Sequence, residues 1–419
     1  QMRILCVIDD VPRPETSGYK IRLANVVRAL ASVGDVDLFV RVPHDFDVVE
    51  GIVPEGVGVR RSFVIHGDPP RSTPMVVLSW LFGRLPRGLL RMRSEAAREA
   101  LRQWSQPPYD LVWFGHAHSY SRFADLVDGS VMVDLDNLED QHIRHHREVR
   151  AADRRRGATD RIRSRPRQLV ASLFDRVDQH RWRRLQQRIV DRAHVVMLCS
   201  ELDRSRLNAS NSVVLPNGYE PSSSTDGRQR RPLDPNAPVF LMVGLLTYEP
   251  NADAAWYFAD EVLPELRREF PSAQLHLVGR YDWQVEALSD RPGLVLTGEV
   301  EDLSAHLLAA DVSVIPIRFG GGTRIKALEA FAWRLPLVST TVGVEGIPAV
   351  PGVHYLRADT PEEFVEACRR LVADSELRRS LGEAGHALWS EHFQWTDIRA
   401  SVEELVTDTI SAQITPLPL

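Results

Sequence analysis

An α/β chain with two doubly wound parallel-sheet domains is predicted by three observations. The 419 residues exceed one ordinary core, so two domains of roughly 200 residues each are the natural division. Short apolar runs ending in a polar or small residue alternate with helical patterns, as in parallel sheets wrapped by helices. The alternation stops at LPNGYEPSSSTDGRQRRPLDPNAP, a stretch rich in Pro, Ser, Gly and charge, and then restarts. Residues 1–215 therefore form one domain, 216–238 a linker, 239–392 a second domain and 393–419 a closing helical segment.

In order, RILCVI reads as the first strand, PRPETSG as a turn, KIRLANVVRALASVG as a helix and VDLFV as the next strand, which makes a βαβ unit. YDLVWFG, SVMVDLD and HVVMLCS are further buried strands. Past the linker come VFLMVG, a helix from Asn251 to about Glu269, QLHLVG, VLTG, a helix through LSAHLLAA, VSVIPI, a glycine loop with its helix, and LPLVST. MVVLSWLFG is too short to span a bilayer; the longer TPMVVLSWLFGRLPRGLLRMR, apolar then basic, reads as a domain helix ahead of a contribution to an anionic or membrane-bound acceptor. MRILCVIDD is stopped by two aspartates, so it reads as a strand rather than a signal peptide.

Composition narrows the function classes. A net charge of −6 gives no basic excess for nucleic-acid binding. Cys6, Cys199 and Cys368 are far apart in apolar surroundings, which predicts reduced buried thiols in a cytoplasmic protein, without disulfides or a cysteine metal site. Between Gln141 and Arg192 lie 16 arginines against 6 acidic residues. That region reads either as a solvated helical hairpin or as a face for an anionic acceptor or membrane surface. The histidines of HIRHHR lie within it, where the arginines repel cations. Only two of the 51 basic residues are lysines, Lys20 and Lys326, and both lie in candidate phosphate loops.

The most informative stretch is RFGGGTRIKALEAFAWRLPLVST, from Arg318. An apolar strand runs into three glycines, Gly320, Gly321 and Gly322. Thr323 then suits a helix N-cap. Ile325, Leu328 and Ala332 share a core-facing stripe; Lys326, Glu329 and Trp333 share another. A strand, a glycine turn and a helix N-terminus make an anion site. Arg324 and Lys326 in the first turn would oppose the helix dipole unless a bound anion offset them. Glu329, roughly 4.5 Å further along the axis, suits the paired hydroxyls of a ribose. The stretch reads as a holder for a nucleoside diphosphate. It lacks the P-loop pattern and the dinucleotide fingerprint.

In the first domain, Ser17-Gly18-Tyr19-Lys20 opens a helix after the first strand. His116 and His118 end the strand YDLVWFG, at the carboxyl edge where ligands of parallel sheets bind. Asp134 and Asp136 spell D-x-D after another strand. Their distance in sequence and domain from the glycine loop argues against a donor-diphosphate metal site. Asp136 is assigned to the acceptor side.

These motifs, taken in order, resemble the GT-B glycosyltransferases, and among them the retaining enzymes of glycosyltransferase family 4. The resemblance rests on PRPETSGYKIRLANVVRAL, VVLPNGYE, FLMVGLLTYEPNADAAWYFADEVLPELRREFP, LHLVGR, LTGEVEDLSAHLLAADVSVIPI and the glycine stretch, and covers most of the chain. It implies two Rossmann-like domains facing across a cleft, with closure about the linker, the donor mainly on the second domain, the acceptor on the first, and a last helix crossing back. It also implies that the Gly18 amide approaches donor phosphate or acceptor, that a histidine at His116 or His118 lies beside the reacting sugar, and that the base sits near Arg280 and Val300.

Two departures stand out. The family's usual pair of glutamates is reduced to Glu329, with Gly321 at the first position. The basic residues that many relatives carry after the first strand of the second domain are missing from GLLTYEPN, so the charge must come from Lys326 and Arg324 first, then Arg318, Arg280 or Lys20. The resemblance implies a hexosyltransferase that uses a nucleotide-diphosphate sugar, UDP ahead of GDP, with retention and without a metal or other cofactor. The acceptor would be a glycan, a lipid-linked glycan or a natural product. Competing readings are a non-catalytic partner subunit, favoured by the missing glutamate, and a sugar-nucleotide epimerase on the same fold.

Overall fold

The computed structural model describes residues 2–13, 17–46, 58–155, 165–221, 230–320 and 324–414. The chain divides into two compact units, residues 1–217 with 396–419, and residues 218–395.

The first unit runs β1 (Arg3–Ile8), α1 (Gly18–Val33), β2 (Asp35–Val42), β3 (Val59–His66), α2 (Thr73–Phe82), α3 (Arg87–Arg91), α4 (Glu95–Trp104), β4 (Leu111–Phe114), α5 (Ala117–Phe123), β5 (Ser130–Leu135), α6 (Glu139–Arg155), α7 (Arg165–Arg192), β6 (Val195–Leu198), α8 (Glu201–Leu207) and β7 (Ser212–Val214). Its strands lie in the order β3-β2-β1-β4-β5-β6-β7, and every pairing is parallel. Both faces are covered. Along β1, Leu5 and Val7 enter one core, while Ile4, Cys6 and Ile8 enter the other.

β3 and β7 escaped the strand reading. β3 lies at the sheet edge, and its arginines break the apolar signal. The structure gives those arginines a partner: the fully buried Asp37 of β2 receives Arg60 at 2.6 Å, Arg61 at 2.8 Å and the Tyr109 hydroxyl at 2.8 Å. Asp37 thus ties two side chains of the edge strand to β2, beside the backbone ladder that joins the strands.

The second unit runs β8 (Val239–Val243), α9 (Glu249–Tyr257), α10 (Leu263–Glu269), β9 (Gln274–Val278), α11 (Trp283–Glu286), β10 (Leu294–Gly298), α12 (Ser304–Ala309), β11 (Val312–Ile315), α13 (Ile325–Ala332), β12 (Leu337–Ser339), β13 (Leu356–Arg357), α14 (Pro361–Ala373) and α15 (Ser375–His392). Its sheet is also wholly parallel, in the order β10-β9-β8-β11-β12-β13. The helix read as continuous from Asn251 to Glu269 carries a π-turn at Phe258–Val262 between α9 and α10. Pro264 explains it, since its ring displaces the carbonyl four residues back.

The last helix, α16 (Trp395–Ile414), belongs to the first unit from Thr396 onward. Val402 and Val406 enter that unit's core, and Arg399 donates to Asn25 at 2.7 Å. The three cysteines are buried and not joined in disulfides among the described residues. Among the described residues no helix is long and apolar enough to cross a membrane. The arginine-rich 141–192 region forms α6 and α7, which pack on each other. The side chains of 149–171 fall outside the described set.

Candidate functional site

In a doubly wound sheet the strand order reverses beside the first strand, and the two loops there diverge to leave a crevice at the carboxyl edge. The reversal lies between β1 and β4 in the first unit, and between β8 and β11 in the second. Gly18, Lys20, His116 and His118 follow β1 and β4, and Gly320, Arg324, Lys326 and Glu329 follow β11; Asp134 and Asp136 lie at the end of β5.

In the second unit, Gly244 ends β8, and Gly320 and α13 follow β11. Gly244 has φ +153°, and a Cβ there would collide with Cε of Lys326. The bare backbone lets the Lys326 stem lie across the end of β8. Lys326 thereby occupies the place where GLLTYEPN lacks a basic side chain. Its ammonium makes no hydrogen bond or close ion pair with a described residue, and burial beside Arg324 pushes its pKa down to about 8.

The neighbouring cations are committed. Arg318 binds Asp253 through two nitrogens, at 2.9 and 2.5 Å, and lies over the Tyr257 ring. Arg324 donates to the carbonyls of Gly320 and Val342, each at 3.0 Å, so it braces the loop. The helix start differs from the sequence reading: α13 begins at Ile325, and Arg324 rather than Thr323 holds the N-cap position, with no side-chain cap bond. Gly321, Gly322 and Thr323 lie outside the described residues. The side chain of Asn251 donates to the Leu245 carbonyl at 2.7 Å, and its buried Oδ1 has no partner.

Glu329 lies one turn along α13 and is 7% exposed. Burial raises its pKa to about 7, while a Tyr219 hydrogen bond and the Lys326 charge pull it back. The Tyr219 hydroxyl also accepts from Trp333 Nε1 at 3.3 Å. Tyr219 follows directly on the Pro216-Asn217-Gly218 run, but no spacing rule linked it to Glu329. Arg280 and Val300 sit on the adjoining loops after β9 and β10. The Arg280 carbonyl accepts from Leu246 N at 2.8 Å, while its side chain is exposed.

In the first unit Gly18 opens α1, with Ser17 as N-cap. Lys20 is paired with Asp10 at 3.7 Å and lies over Phe46. After β4, a Cβ at Gly115 would meet Ile8 and Leu23 at 2.8 Å, so glycine is what lets the chain turn there. His116 follows as the N-cap of α5, its ring accepting from the His118 amide at 3.2 Å. The rings of His116 and His118 stack, with their Nδ1 atoms 2.6 Å apart. Two nitrogens that close share a proton. With Glu139 these histidines form the one cluster of metal-ligand type found among the described residues, with one ligand atom from each within 4.8 Å of the others. His116 Nε2 faces Asp136 at 3.5 Å and Glu139 at 4.0 Å. His118 packs on Trp182, and burial keeps both imidazoles below their ordinary pKa.

Asp134 is fully buried and receives Arg22 at 2.7 and 2.9 Å on its two oxygens. Arg22 also donates to the Leu215 carbonyl and the Asn217 side chain. Both D-x-D carboxylates are raised by burial and drawn back by Arg22. With Asp134 saturated by a guanidinium, the pair is not arranged as a metal chelate. Arg22, Tyr219, Asn251 and Glu139 are the site residues that sequence reading missed.

Residues 237–374 match the family described as "Glycosyl transferases group 1". The glycogen synthase of Actinobacillus succinogenes is 30% identical over 179 residues, 41% of this chain and 36% of that enzyme. The chain thus matches about a third of that relative's length. Sucrose-phosphate synthase from Thermosynechococcus elongatus superposes with a TM-score of 0.67 at 17% identity, over 98% of this chain and 100% of that one. The chain has the GT-B fold. Anabaena HepE, crystallised with UDP and glucose, gives a TM-score of 0.61 at 14% identity, over 97% and 100%. The matched residues include the stretch from Arg318 to Glu329.

Proposed function

We propose that this GT-B protein is a retaining glycosyltransferase of the family 4 type. It would move a hexosyl unit from a nucleotide-diphosphate sugar, UDP ahead of GDP, to a hydroxyl of a glycan, glycolipid or natural-product acceptor. The observation that carries the reading is Lys326. Its ammonium makes no hydrogen bond or close ion pair among the described residues; it is laid across Gly244 at the switch point of the second sheet, one helical turn from a carboxylate held by Tyr219. A diphosphate supplies the missing anion, and Glu329 accepts the ribose hydroxyls. The match to group 1 glycosyl transferases and the UDP bound by HepE support this choice.

As the glycosidic bond to the diphosphate breaks, negative charge grows on the leaving phosphate. Lys326 and the amides of the glycine loop stabilise it, which is electrostatic preorganisation. The leaving phosphate oxygen takes the acceptor proton on the same face, so no protein nucleophile is required. On the first unit His116, backed by Asp136 and Glu139, is the group assigned to a sugar hydroxyl; His118 serves His116 through the shared proton. The saturation of Asp134 by Arg22 supports the expectation that no metal is used.

The test is a thermal-shift titration with UDP, GDP, ADP and dTDP in EDTA. A ligand at 100 times its Kd adds about 2.7 kcal/mol of stability. A shift with one nucleotide, lost in Lys326→Ala, supports the reading. No shift with any of the four refutes the diphosphate site and brings the partner-subunit reading forward.

A further inference from the structure

A helix that is apolar all round belongs in a core. α2, TPMVVLSWLF, breaks that rule. Val76 and Trp80 are buried, yet Met75, Leu78, Leu81 and Phe82 are 58, 59, 57 and 85% exposed. These four side chains fall on one contiguous stripe at helical spacing, which Leu85, 40% exposed, extends.

The inner face is fastened firmly. Trp80 meets Phe174 of α7 edge-on at 4.7 Å, and its Nε1 donates to Asp178 at 2.6 Å. Arg181 donates to the carbonyls of Trp80 and Leu85, and Arg87 pairs with Asp175 and Asp178. The exposed stripe is therefore held in place. On α7, Leu173 and Val177 flank this contact at 61 and 39% exposure. Of 13 large exposed hydrophobics in the described chain, 8 lie in these two segments, counting Met92. Such concentration marks a docking surface rather than scatter.

Along the chain around α2 the charge is of one sign, while the acids that reach it from elsewhere, Asp175, Asp178 and Glu95, pair with Arg87, Arg71 and Arg93. Residues 71–94 hold five arginines and no acidic residue. Arg84 and Arg91 are exposed and make no ion pair among the described residues. An apolar stripe beside unpaired arginines fits a bilayer, where an anionic headgroup layer lies over hydrocarbon. A second copy of the same surface fits worse, because two-fold pairing brings the arginines of both copies together. At ten residues α2 spans about 15 Å, half of a hydrocarbon core, so it would lie in the interface rather than cross it.

We propose that the outer face of α2, with Leu173 and Val177 of α7 and the rim of Arg84 and Arg91, docks the protein on an anionic lipid surface. This surface lies outside both sheet crevices, and the proposal is independent of the transferase reading, since vesicle binding needs neither donor nor acceptor.

The experiment is co-sedimentation of the full chain with phosphatidylcholine vesicles, with and without phosphatidylglycerol, at low and high salt. Light scattering in solution gives the oligomeric state. Binding is expected with the anionic vesicles, weakened by salt. It should fall at least tenfold in Leu78→Asp/Phe82→Asp and in Arg84→Glu/Arg91→Glu, with the melting temperature unchanged because all four sites are exposed. In Phe82→Trp, vesicles should shift the tryptophan emission to the blue, and brominated lipid should quench the added signal. Absence of binding, equal binding by the aspartate variant, or no spectral response at position 82 overturns the proposal. A wild-type dimer that the aspartate variant converts to monomer overturns it too, and assigns the stripe to a chain–chain contact. Capture of an acidic soluble protein with no vesicle binding has the same effect.

Discussion

Proton linkage at Lys326 gives the sharpest test of the nucleotide site. In the ligand-free protein burial lowers this pKa from 10.5 to about 8. A bound diphosphate favours the ammonium form and raises the pKa again. Binding should therefore take up protons on the alkaline side. At pH 8 half the free sites are deprotonated, so UDP binding should take up about 0.5 proton. The apparent Kd should weaken by one plus ten to the power (pH − 8), relative to the fully protonated site. From pH 7 to pH 8.5 that is about fourfold, or about 0.8 kcal/mol. Over this range the terminal phosphate of UDP is almost fully ionised, since its last proton leaves near pH 6. Isothermal titration calorimetry in two buffers of different ionisation enthalpy reads the uptake directly. Lys326→Met supplies the baseline and should bind more weakly, with no uptake. Equal Kd values at pH 7 and 8.5, with no buffer dependence, would show that Lys326 does not meet the phosphates.

Further outcomes follow from the same geometry. Glu329→Gln should bind UDP roughly 10- to 100-fold more weakly by the worth of a hydrogen bond to a charged group, about 1.5–3 kcal/mol, and lose its preference for UDP over 2′-deoxy-UDP; unchanged discrimination in calorimetry would remove the ribose contact. The same residue bears on folding. Its pKa rises from 4.5 to about 7 in the native state, so its contribution is present below pH 4.5 and lost as pH rises through 7. At pH 8 Glu329→Gln should thus be more stable than the parent, by up to about 3 kcal/mol, in denaturant titration. Arg22→Ala leaves Asp134 buried without its counter-charge and should cost about 3–5 kcal/mol, seen as a large fall in the first unit's melting transition; Arg22→Ala with Asp134→Asn should recover part of it. Turnover should survive EDTA, and loss that manganese restores would return the D-x-D pair to consideration.

Much of this was written in local pattern. Parallel strands buried on both faces read as plain apolar runs, so both sheets were legible wherever strands are central. Gly320, Lys326 and Glu329 were legible because a strand, a turn and a helix fix their spacing within twelve residues of Arg318. Edge strand β3 was not, because its arginines answer Asp37, which comes 23 and 24 residues earlier.

The sequence by itself determined the α/β class with two doubly wound parallel sheets, since apolar runs alternating with helical patterns depend on contiguous residues. Only the tertiary structure decided which charges in the glycine loop stay available. In the sequence Arg324 ranks with Lys326 as a source of that charge, and Arg318 follows them. Asp253 and the carbonyls of Gly320 and Val342 engage the two arginines, and the bare Gly244 gives room to the Lys326 stem. Likewise Tyr219 reaches Glu329 across 110 residues, and Arg22 reaches Asp134 across 112. Hydrogen bonds and burial act over a few ångströms in space, and periodicity along the chain holds no record of which distant segments folding brings within that range.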